Sequence, residues 1–117
     1  MRTARAAYGS LPWIATDAHA APSSAPNDGC FAILLMREVA GREVSRLDLL
    51  RMFLAAESGT HTDHDAVELY WATSMTLSPD ESGPHGAGNI ALDGELVETA
   101  RVDVTCLPSA ARVVSAA

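Results

Sequence analysis

The sequence is poor in the features that mark several large functional classes. Only two cysteines, Cys30 and Cys106, occur in 117 residues, so there is neither a disulfide framework nor a paired-cysteine zinc signature. Basic residues are scarce: eight Lys and Arg stand against fifteen Asp and Glu, for a formal net charge of −7. That balance argues against nucleic-acid binding, which needs a basic surface to displace counterions. It argues equally against a polybasic patch that holds an anionic membrane. No apolar run approaches the ~20 residues that cross a bilayer. The longest, Cys30 to Met36, has the length of a strand. There is no Gly-rich phosphate loop, nucleophile elbow or metal-protease helix. Aromatic residues make up only 5% of the chain, and much of its 48% hydrophobic content is alanine. The core therefore rests on few large side chains.

What is there reads as one modest domain covering residues 1–117. Arg2 and Arg5 stand near the start without an acid. Pro12 and Trp13 interrupt any leader-type helix, so this stretch reads as the cropped beginning of the domain, with a short strand ending near Leu11. Residues 16–28 carry Pro22, Pro26 and Asn27 and form a loop that Asp28-Gly29 closes as a turn. The run Cys30 to Met36 predicts a strand buried on both faces. Ser45 and Asp48 have capping-box spacing ahead of a helix predicted over residues 45–57, with Gly59 just past its end. Within it Leu47, Leu50 and Leu54 share one apolar face, widened by Leu49, Met52, Phe53 and Ala56. Val67 to Leu77 alternates as a single long strand, with Thr73 the exception. Asp93-Gly94 predicts a hairpin turn, because both residue types tolerate positive φ. Val102 to Cys106 adds a strand, and Arg112 to Val114 a last short one. Short strands with one helix predict a mainly β (α+β), antiparallel architecture. The two cysteines lie in apolar, strand-like contexts, as reduced thiols of a cytoplasmic protein do.

Three groups carry candidate chemistry. His61, Asp63, His64 and Asp65 match no strong metal spacing and read as a solvated polar loop. Within it, His61 is placed to bond free carbonyls at the helix end. The stripe of Leu49, Met52, Phe53 and Ala56 reads as core, or as the wall of an apolar-ligand site. Asp93-Gly94-Glu95 is either a plain turn with acids at its tip or a carboxylate aimed at a polar ligand. In the second case it would bind magnesium through water, orient a nucleotide or accept a hydroxyl proton.

Read together, Leu49 to His61 (LLRMFLAAESGTH), followed at the right distance by Ala91 to Leu96 (ALDGEL), resembles the sphingosine kinases. Pro12-Trp13, Ala21-Pro22 and Asp28-Gly29 fit the same resemblance, which covers about residues 8–107. It implies the C-terminal, lipid-binding β-sandwich segment of a two-domain enzyme with one packed helix. That enzyme moves the γ-phosphoryl of MgATP to the primary hydroxyl of a sphingoid base. It implies that Asp93, Gly94 and Glu95 face the nucleotide, with Glu95 as the phosphate- or magnesium-side carboxylate. It further implies that Leu49, Met52, Phe53 and Ala56 line the lipid pocket, and that His61 is structural. The family's Gly-Gly-Asp-Gly loop and catalytic aspartate have no match here, so the resemblance implies a segment inactive alone, with open edges and an exposed apolar face. ATP and Mg2+ are its expected cofactors, and peripheral membrane contact is compatible with it. A ceramide- or diacylglycerol-kinase-like parent, or a non-catalytic lipid-binding module, shares the same features.

Overall fold

The computed structural model describes residues 5–9, 11, 13, 15–79, 88–98, 101–112 and 114, with side chains from Gly9 onward. Among the described residues, seven strands and one α-helix follow in the order β1 (Arg5–Gly9), β2 (Phe31–Met36), α1 (Arg46–Ala55), a 3-10 turn (Thr60–Asp63), β3 (Val67–Ala72), β4 (Ser74–Leu77), β5 (Ile90–Leu92), β6 (Glu95–Val97) and β7 (Val102–Thr105). Every strand pairing is antiparallel, so the mainly β architecture with one helix is as the sequence predicts. The chain divides into two compact units, one of residues 2–73 with 106–117 and the other of residues 74–105.

In the larger unit β2 is the central strand of a three-stranded sheet ordered β1-β2-β3. Phe31 faces Ala72 and Met36 faces Val67 on one side, and Arg5 faces Met36 on the other. The apolar run earns the central place because it can bury side chains on both faces. Only its first two residues, Phe31 and Ala32, are fully covered; the other four are half-buried. The buried apolar set of this unit is Ala21, Phe31, Ala32, Met52, Ala66 and Val67. Half of these are alanines, as a composition short of large side chains leads one to expect. Asp28 closes the preceding turn by accepting the N–H groups of Ala25 (3.0 Å) and Cys30 (3.1 Å), which hold its carboxyl below the usual range. Burial, and then the Asp28 carboxylate, push the Cys30 thiol up. Both cysteines are free and half-buried.

The long strand anticipated over residues 67–77 is two strands. Its alternation fails at Thr73, an exposed polar residue at the fault, and the backbone bends there. The Thr73 carbonyl accepts the Cys106 N–H at 2.8 Å. β3 pairs with β2, whereas β4 pairs with β7 in the smaller unit. In that β4–β7 ribbon Thr76 donates to Asp103 at 2.6 Å from the directly opposite position, and Arg101 bonds both carboxylate oxygens. Arg101, and after it Thr76, hold the Asp103 carboxyl low. Arg112 and Val114 are not in a strand. Val113, and most of the loop expected over residues 78–88, lie outside the described residues.

Helix α1 begins as its sequence says. Ser45 Oγ accepts the Asp48 N–H (3.2 Å), and Asp48 Oδ2 accepts the Ser45 N–H (3.0 Å), a reciprocal capping box. The Ser45 hydroxyl also donates to Asp48 Oδ2 at 2.7 Å, and Arg42 lies 3.3 Å away. The side-chain and then the backbone bonds from Ser45 hold the Asp48 carboxyl below its usual range, and Arg42 and Arg51 add to this against burial. A folded-state value depressed below the unfolded one, about 3.9, stabilises the fold fully above that pH. The contribution is lost as pH falls through the folded value. Denaturant midpoints measured from pH 6 to pH 3 should therefore converge between wild type and Asp48→Asn at the acid end, with wild type ahead at pH 6. A constant gap would show that the charge contributes nothing.

Candidate functional site

Glu95 is held by the β5–β6 hairpin. Ile90 faces Val97, Ala91 faces Leu96 and Leu92 faces Glu95. The two turn residues, Asp93 and Gly94, have φ of 49° and 85°. A two-residue turn with both central φ positive matches the right-handed twist of the strands it joins. Cross-strand partners share a face and alternate residues reverse it. Glu95 therefore lies on the face that carries Leu92, Val97 and the buried Ile90, while Ala91 and the exposed Leu96 lie on the other. The carboxylate thus ends an apolar strip, with Asp93 two residues away at the tip. Asp93, Gly94 and Glu95 are all exposed.

Magnesium carried by a nucleotide takes one or two carboxylates and keeps water and phosphate oxygens as its other ligands. The Asp93 and Glu95 pair fits that partial role. Among the described residues no group of three or more His, Cys, Asp or Glu side chains is placed to hold a metal by itself.

The second group lies in the larger unit, on α1. At ~100° per residue, Leu47, Leu50, Phe53 and Leu54 fall within one arc, and Asp48 and Met52 fall on the opposite side. The helix buries the second side. Met52 is 6% exposed, whereas Phe53 is 74% exposed and Leu47, Leu50 and Leu54 are also open. Leu49 and Ala56 are half-buried at the border. Of the stripe Leu49, Met52, Phe53 and Ala56, Met52 is core in this unit, Leu49 and Ala56 are partly covered and Phe53 is open, while the Leu47, Leu50 and Leu54 face is not core. The helix docks through Met52 and the satisfied Asp48, which a reading by hydrophobicity alone passes over. Because Phe53 touches little, Phe53→Ala should shift stability by no more than about 0.5 kcal/mol. If its ring meets lipid, sphingosine binding in detergent micelles should weaken several-fold. Unchanged binding would remove Phe53 from the lipid surface.

On the docked side a cavity of about 260 Å3 is lined by Arg51, Met52 and Ala55 of α1 and by Thr60, His61, Asp63 and His64. The polar cluster after the helix is thus divided. Asp63 and Asp65 are exposed as anticipated, but His61 is 5% exposed and is not part of a solvated loop. Its Nε2 donates to the Ala20 carbonyl at 3.0 Å, 41 positions earlier, instead of bonding the helix end. His64 turns its Nδ1 to the Ala66 N–H at 3.1 Å. Local spacing carries no sign of a partner so far back in the chain. The described structure brings Met52 and His61 together in this cavity, and it holds Asp93, Gly94 and Glu95 in the other unit.

No described helix is long and apolar enough to cross a membrane. Among curated proteins none matches the chain. Residues 2–115 match the family model of the YegS C-terminal NAD kinase beta sandwich-like domain. The antiparallel strands and single helix agree with that architecture. The match spans almost the whole chain, and the chain therefore belongs to this family, the C-terminal β-sandwich domain of the NAD/diacylglycerol kinase-like lipid kinases.

Proposed function

We propose that this domain is the lipid-binding, C-terminal part of a sphingosine kinase, an enzyme that phosphorylates the primary hydroxyl of a sphingoid base. The observation that carries the reading is the Asp93-Gly94-Glu95 hairpin. A turn of fixed backbone geometry presents two exposed carboxylates, in a chain whose family is a kinase-like one. Bound MgATP supplies the transferable phosphoryl and the cation that offsets its charge. Phosphoryl transfer of this kind depends on positioning and charge neutralisation more than on covalent help from the protein. Glu95 orients the nucleotide side from the end of its strand, and Asp93 adds a second carboxylate at the tip. The Leu49, Met52, Phe53 and Ala56 positions of α1 meet the alkyl chain. The open apolar arc of the helix supports that assignment for Phe53 alone of the four, because large side chains left at a surface mark a contact still to be made.

The same arc favours a second reading, a lipid-binding module without catalysis. One assay separates the two. Transfer from radiolabelled ATP is measured for this chain alone and for a longer protein that joins it to a Gly-Gly-Asp-Gly nucleotide domain, with sphingosine, ceramide and diacylglycerol as acceptors. The sphingosine-kinase reading expects product only from the longer protein and chiefly from sphingosine. Preference for another acceptor moves the assignment within the lipid kinases. Binding of sphingosine without transfer in a folded longer protein supports the module.

A further inference from the structure

The segment His19–Pro22 is tied to the end of α1 at three points. The His19 N–H donates to the carbonyl of Ala56, the C-cap residue, at 2.8 Å. The His61 ring donates to the Ala20 carbonyl at 3.0 Å. Pro22 lies so close to Gly59 that a Cβ there would sit 2.8 Å from Pro22 Cγ. The Trp13 ring adds a stack on His19, with centroids 4.2 Å apart and planes 3° from parallel. Ala21, within the segment, is buried. One of the three points, Ala56, is itself a position proposed to meet lipid, and His61 shares a cavity wall with another, Met52.

We propose that His61 is a positioning residue for Met52 and Ala56, two of the α1 positions assigned to lipid. It latches the segment His19–Pro22 across the helix end and so fixes Ala56, whose carbonyl that segment bonds, and Met52, which lines a cavity with His61. A carbonyl can only accept, so the bond to Ala20 requires hydrogen on Nε2. Nδ1 is then a buried acceptor with no partner among the described residues, and the ring's only described hydrogen bond is the latch. A purely local role would keep the bond within the helix end. This bond instead reaches 41 residues back, to a segment held nowhere else by a described side-chain hydrogen bond. The inference rests on the lipid reading of α1, and its test keeps the two apart.

The full chain is measured as wild type, His61→Phe, which fills the space without a donor, and His61→Gln, whose amide can replace the Nε2 donor. Pro22→Gly serves as a variant that loosens the segment without touching the ring. Two readouts are taken: amide hydrogen exchange at His19, and the Kd for sphingosine in mixed detergent micelles. The expected result is faster exchange at His19 and about tenfold weaker binding in His61→Phe and Pro22→Gly, with both restored toward wild type in His61→Gln. Unchanged exchange in His61→Phe would show that the latch does not hold the segment. Faster exchange with an unchanged Kd would overturn the positioning role while leaving the lipid reading intact. A wild-type chain that binds no sphingosine would remove the lipid reading and the proposal with it, whatever the exchange shows.

Discussion

Glu95→Ala should lower phosphoryl transfer to sphingosine by about 100-fold in kcat/KM, in a longer enzyme that joins this chain to a nucleotide-binding domain. The melting temperature should move by no more than about 2 °C. The two halves of this expectation come from different features of the hairpin. Stability is insensitive because the side chain is exposed, while the turn geometry belongs to Asp93 and Gly94. Activity is sensitive because a carboxylate that orients a nucleotide or its magnesium acts on the developing charge of the transferred group, where a lost partner is costly. Glu95→Gln keeps the size and removes the charge, and it should show most of the loss. Asp93→Asn keeps a residue that tolerates the positive φ, so it reports on the second carboxylate without disturbing the turn. If Glu95→Ala turns over at the wild-type rate, the triplet is a hairpin turn and the nucleotide side of the proposal is wrong.

Much of the local structure was legible because it depends on neighbours in sequence. The capping box at Ser45 and Asp48, the turn at Asp28-Gly29, the left-handed Gly59 and the Asp93-Gly94 hairpin are each fixed by a few adjacent residues, and each stands where its signal placed it. Partners distant in the chain were not legible. The alternation over residues 67–77 breaks at Thr73 but resumes with the same period, so the fault alone does not announce that β3 and β4 join different sheets. The helical stripe was the more misleading signal. Leu47, Leu50 and Leu54 have the spacing of a core face, yet α1 packs through Met52 and a carboxylate whose polarity is cancelled by Ser45 and Arg42. Periodicity says which residues share a face and is silent on which face finds a partner. His61 was recognisable as structural but not as the tie to Ala20, because a hydrogen bond between a ring and a distant carbonyl leaves no pattern in the sequence.

The largest loss of stability expected from one added methyl group is at Gly59. This residue sits at φ 77°, in the left-handed region, three residues past the Ala56 C-cap of α1 and directly ahead of the 3-10 turn. An L side chain there costs about 1–2 kcal/mol from backbone sterics alone. The site adds a second cost. A Cβ would lie 2.8 Å from Pro22 Cγ and 3.1 Å from His19 Nδ1. A proline ring cannot swing away as a flexible chain can, so the segment His19–Pro22 must shift, at about 1–3 kcal/mol for such overpacking. Gly59→Ala should therefore destabilise the chain by about 2–4 kcal/mol in urea unfolding. The two contributions are separable. Pro22→Ala removes the Cγ that the new methyl would strike and leaves only the milder contact with His19, so adding Gly59→Ala in that background should cost chiefly the backbone part, about 1–2 kcal/mol. A full cost in both backgrounds would mean that the strain lies in the backbone and that Pro22 gives way freely. A cost below about 1 kcal/mol in both would mean that the chain leaves the left-handed conformation without penalty, and that the turn carrying His61 is not fixed by Gly59.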